Sequence, residues 1–103
     1  MARTAPNELK AMSRKADAAA ELLRALAHGA RLKVLCELSG GERSAGELVE
    51  ASGLSQSALS QHLARLREDG LVSTRRDAQT IYYSLADERA RRLIKLLYEL
   101  YCG

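Results

Sequence analysis

The sequence predicts a mostly α-helical domain with one small β-hairpin, in the order α-α-α-α-β-β-α. Three observations predict it. Apolar residues recur at spacings of three and four over most of the chain, as amphipathic helices require. Two short segments, VSTRRD (72–77) and TIYYSL (80–85), are rich in β-formers, and the second alternates. Between the periodic segments stand His28-Gly29, Ser39-Gly40-Gly41, Ser52-Gly53 and Gly70, which break helices.

The elements follow in order. Residues 1–6 are expected to be a flexible tail, leaving 7–103 as one domain. Asn7 is placed to cap a first helix over roughly 8–27, with Met12, Ala16, Ala19, Leu23 and Leu26 on one apolar face, widened by Leu9 and Leu22. A second helix over 30–38 carries Leu32, Leu35, Cys36 and Leu38. Ser44 and Glu47 have capping-box spacing and open a short third helix to about Ala51. Ser55 caps a fourth helix that stops at Gly70. The hairpin tip, near Asp77-Ala78-Gln79, lacks Asn-Gly or Asp-Gly and is expected to be a loose loop. Asp87 caps a last helix over 88–101. In LIKLLYELYC (93–102) only Lys95 and Glu99 are charged, so this helix offers more apolar surface than one small core can use. A dimer interface explains the surplus.

Composition narrows the function. One domain of 103 residues with 47% apolar residues excludes a disordered chain. A formal net charge of +3 permits a polyanionic partner. With no Trp and no Phe, a stacking platform for single-stranded nucleic acid is not expected. MARTAPNELK has no apolar signal region, and no run reaches transmembrane length, so the chain reads as cytoplasmic with no membrane partner. In that compartment Cys36 and Cys102 are expected to rest as thiols.

The informative stretch is LSQSALSQHLARLREDGLV (54–72). Its apolar pattern is helical, yet Ser55, Gln56, Ser57, Ser60 and Gln61 crowd its start. Serine is a mediocre helix former, because its hydroxyl competes for backbone hydrogen bonds. A solvated face would ordinarily carry Glu and Lys. The short turn at Gly53 and the hairpin that follows supply the reason: helix, turn, helix, hairpin is the order of a winged helix-turn-helix. Leu59, Leu63 and Leu66, with Ala58, make the buried stripe. Opposite them lie compact groups that hydrogen-bond base edges, and Ala64, which permits close approach. Gln pairs bidentately with adenine, and Ser suits several bases. Arg65 suits phosphates, and Arg75, Arg76 and Gln79 near the hairpin tip suit the backbone or minor groove. His28 reads as a structural residue, and His62 as a structural or phosphate-contacting one, with base reading the alternative. No nucleophile and base stand together, so an enzyme is not expected.

The stretch LRALAHGARLKVLCELSGGERSAGELVEASGLSQSALSQHLARLREDGLVSTRRDAQTIYYSL (23–85) resembles the ArsR family of bacterial winged-helix repressors, in the subgroup of BigR, SqrR, HlyU and NolR. The resemblance implies a homodimer formed by the first and last helices, blocking transcription from a near-palindromic double-stranded operator.

Many such proteins respond to metals, through Cys clusters before the recognition helix or Asp/His/Glu sets on the last helix. SAGELVEAS (44–52) holds no Cys or His, and DERARRLIKLLYELYC (87–102) no His. No metal or other cofactor is expected. From the residues alone, Cys36 fits a small core residue and Cys102 an incidental one. The resemblance adds a role: one Cys in the second helix, matched by VLCEL, and one ending the last helix, matched by LYC. It implies that reactive sulfur species or an oxidant bridge Cys36 to Cys102 and release the DNA. The alternative it leaves is a NolR-like repressor without thiol sensing.

Overall fold

The computed structural model describes residues 5–103. The elements are α1 (Pro6–Leu26), α2 (Gly29–Ser39), β1 (Arg43–Ser44), α3 (Ala45–Ser52), α4 (Gln56–Glu68), β2 (Val72–Asp77), β3 (Thr80–Leu85) and α5 (Glu88–Tyr101). Five helices and a three-stranded antiparallel sheet of order β1-β3-β2 make up the architecture.

Four details differ from the sequence expectations. Asn7 does not cap α1. Ala5 stands at the cap with no side-chain bond, and Pro6 takes the first turn, where its missing N–H and fixed φ cost nothing. Of the tail expected at 1–6, residues 1–4 lie outside the described residues, and Pro6 is helical. The hairpin tip is tight rather than loose. Asp77 pairs with Thr80, leaving a two-residue loop in which Ala78 adopts φ +56°. Finally, Arg43 and Ser44 pair with Tyr83 and Tyr82 as a third strand, too short to leave a periodic signal.

Local chemistry accounts for the helix starts. Ser44 Oγ accepts from Glu47 N at 3.2 Å while Glu47 Oε1 accepts from Ser44 N at 2.8 Å, completing the capping box. This bonding holds the Glu47 carboxyl below the usual carboxylate range, with the backbone bond from Ser44 the main cause. Ser55 Oγ accepts from Ala58 N at 3.1 Å and opens α4. Asp87 Oδ1 accepts from Arg89 N and Ala90 N and opens α5. Gly53, in the left-handed region at φ +71°, ends α3 and makes the sharp turn before α4.

The core draws on all five helices and on β2 and β3: Leu26, Val34, Leu35, Leu38, Leu48, Leu59, Leu63, Leu66, Leu71, Val72, Leu85 and Ile94 are buried. Each such side chain contributes about 1.5–3 kcal/mol on burial. In α4 the buried residues are Leu59, Leu63 and Leu66, so register fixes the opposite face outward.

The first helix is different. Only Ala25 and Leu26 of α1 are buried, while Leu9, Met12 and Leu23 are each more than half exposed. At the other end of the chain Leu96 is 48%, Leu100 67% and Tyr101 84% exposed. The radius of gyration is 15.7 Å, above the roughly 13 Å of a compact chain this long. The single chain leaves its terminal helices short of partners.

Candidate nucleic-acid interface

The helix-turn-helix places every polar residue singled out at the start of α4 on the surface. Ser55, Gln56, Ser57, Ser60 and Gln61 are exposed, as are Ala64 and Arg65. Since α3 and α2 pack against α4 and its leucines are buried, this polar face points away from the body of the domain. Arg65 is held at its base by Asp69, Nε to Oδ2 at 3.3 Å. Ser55 is occupied as the helix cap, so its side chain organises the helix start.

The hairpin formed by β2 and β3 stands beyond α4. Its register separates the two arginines. Arg75 lies opposite Tyr82, and Arg76 opposite Ile81, so they point to opposite faces of the ribbon. Arg76 is exposed and forms no ion pair among the described residues. Gln79 is exposed in the loop. Arg75 instead donates twice to Glu42, at 2.9 and 2.8 Å, a partner that nothing in the sequence pattern marks.

His62, on α4, meets His28 at the start of α2, ring centroids 4.8 Å apart. Burial lowers the His62 pKa, and the neighbouring His28 and Arg31 lower it further. No third ligand joins them: among the described residues no group of three His, Cys, Asp or Glu is arranged to hold a metal ion.

The two cysteines fall on one wall-to-wall groove between α2 and α5. It has a volume of about 840 Å³ and is lined by Leu32, Cys36, Ile94, Leu97, Tyr98 and Cys102 among others. Both cysteines are free thiols and exposed. Burial pushes the Cys36 thiol up, and the charges of Glu37 and Cys102 add to that, so the two sulfurs feel one another. No helix of the described residues is long and apolar enough to cross a membrane.

Residues 28–74 match the model of a bacterial regulatory protein family, arsR. The chain is 50% identical over 98 residues to the transcriptional activator HlyU of Vibrio cholerae, covering 95% of this chain and 91% of that one. It is 49% identical to the biofilm growth-associated repressor of Agrobacterium fabrum, covering 92% of this chain and 81% of that one. Among solved structures, the transcriptional repressor BigR of Xylella fastidiosa superposes with a TM-score of 0.87 at 41% identity, over 91% of this chain and 96% of that one. All three of these proteins are named as transcriptional activators or repressors. With the recognition-helix geometry and the wing in place, the chain belongs to the ArsR family of winged helix-turn-helix transcriptional regulators.

Proposed function

We propose that this protein is a homodimeric, sequence-specific repressor, cytoplasmic, that leaves its operator when Cys36 and Cys102 of one chain are bridged by reactive sulfur or an oxidant. Gln56, Ser57, Ser60 and Gln61 read base edges, and Ser55 sets the helix start against the DNA. Arg65, Arg76 and Gln79 meet the backbone, with Arg75 on the same wing. The exposed apolar faces of α1 and α5 supply the dimer contact, and two recognition helices then engage two half-sites of a near-palindrome.

The observation that carries the sensing part is the shared groove: the two thiols line one cavity within one chain, although they stand 66 positions apart in sequence. The chemistry balances with persulfides as oxidant. Each thiolate attacks the outer sulfur of a persulfide R–S–SH, takes that sulfur and releases RS⁻. One protein persulfide then attacks the inner sulfur atom of the other, expelling HS⁻ and leaving a three-sulfur bridge. Burial and the neighbouring charges of Glu37 and Cys102 raise the Cys36 pKa and so reduce its thiolate fraction. A bridge here ties α2 to α5, next to the dimer face, and shifts the spacing of the recognition helices. A hundredfold loss of DNA affinity needs about 2.7 kcal/mol of coupling.

Polysulfide treatment, followed by mass spectrometry and a DNA-binding assay on the same sample, tests this. The parent should carry an intramolecular bridge and lose affinity. Cys36→Ser and Cys102→Ser should bind DNA normally and ignore the inducer. A single variant that still responds fully refutes the two-thiol switch, and the protein then reads as a NolR-like repressor with another input.

A further inference from the structure

Arg75 does not hang free at the wing. It sits on β2, and its guanidinium carbon lies 4.5 Å from the centroid of the Tyr82 ring on β3, the middle strand. Beyond that ring it donates from Nε and one terminal nitrogen to the two carboxylate oxygens of Glu42, at 2.9 and 2.8 Å. Glu42 directly precedes β1, the other edge strand. The side chain therefore crosses the whole sheet. Tyr82 is paired by register to Arg75 on one side and Ser44 on the other, so the three groups lie in one row. Ser44 also caps α3, which packs on α4. The row runs from the wing to the first helix of the helix-turn-helix.

Exposed ion pairs ordinarily contribute little. This one has the features that make an exception: the planar fork of Arg matched to both carboxylate oxygens, and an aromatic face beneath the cation. A residue committed to both Tyr82 and Glu42 on the sheet is poorly free to follow a phosphate. Arg76, on the opposite face, has no such commitment.

We propose that Glu42 is a positioning residue of the DNA-binding face: by holding Arg75 across Tyr82 it sets the wing's angle to the recognition helix, and Arg75 is the wing's clip rather than a phosphate contact. This rests on the reading of α4 and the β2–β3 wing as the DNA-binding face. Glu42 acts through the wing and touches no DNA.

The test uses the full-length protein, an operator selected from a random duplex pool, and a random-sequence duplex. The double variant Glu42→Gln/Arg75→Gln removes the pair at unchanged net charge. Its operator affinity should fall about two- to fivefold, the upper part of the range for an exposed pair, while the slope of log affinity against log salt stays that of the parent. The charge-swapped variant Glu42→Arg/Arg75→Glu should recover most of the loss. A slope flattened by about one unit per half-site overturns the proposal, since Arg75 then neutralises a phosphate. So does a double variant indistinguishable from the parent in affinity. Arg76→Ala is the control and should flatten the slope. If it does not, the wing does not meet the backbone, and that failure of the DNA-face reading, distinct from the other two results, takes the positioning role with it.

Discussion

The imidazoles of His28 and His62 lie against each other, centroids 4.8 Å apart, and tie the start of α2 to the recognition helix. Two protonated rings at that distance repel, and Arg31 adds a third cation. His62 accordingly titrates below its ordinary value, with burial the largest cause. Between about pH 6.5, where a free imidazole protonates, and the lowered folded value, the unfolded chain binds a proton that the folded chain refuses. The contribution of neutral His62 is thus complete above that window and is lost as pH falls through it. Urea unfolding at fixed protein concentration should show the parent losing stability between pH 7 and 5.5. His62→Gln should flatten that slope. Equal slopes would sink the argument.

Gln56→Ala and Ser57→Ala should each weaken operator binding, by about 1–3 kcal/mol where a bidentate or well-placed base contact is lost. Affinity for random duplex should stay within error, since phosphates supply it. Both side chains are exposed at the first turn of α4, opposite its leucines. Retained operator affinity in both variants would remove the base-reading role from this turn.

Leu100→Glu should separate the proposed dimer without unfolding the chain. Leu100 is 67% exposed in the isolated chain, so its replacement spares the core. A carboxylate buried in an apolar interface without a partner is costly. Sedimentation should read a monomer with unchanged helical circular dichroism, and operator binding should collapse. An intact dimer would place the interface elsewhere.

Ala78→Gly should stabilise the protein by about 0.5–1 kcal/mol. Ala78 sits at φ +56° at the first central position of a two-residue hairpin loop, where glycine is free of the Cβ penalty. Thermal melts would reveal a raised midpoint, and a lowered one would contradict the tight loop.

Much of the molecule was determined by the sequence alone. The helix starts at Ser44, Ser55 and Asp87 depend on side chains that bond their own backbone within three residues, so they are legible locally. The leucine stripe of α4 and the β2–β3 strands follow from periodicity, and with them the outward face of the recognition helix. Tertiary structure decided what periodicity does not encode. The two-residue tip follows from the pairing of Asp77 with Thr80, which overrode Ala78's poor turn chemistry. β1 exists because β3 offered it an edge. Arg75 met Glu42, 33 residues away, only because three strands lie side by side. His28 and His62 met because α2 packs on α4. Cys36 and Cys102 came to one groove because α5 returns to α2. In each of these cases the deciding energy comes from contacts between elements, and no local pattern carries it.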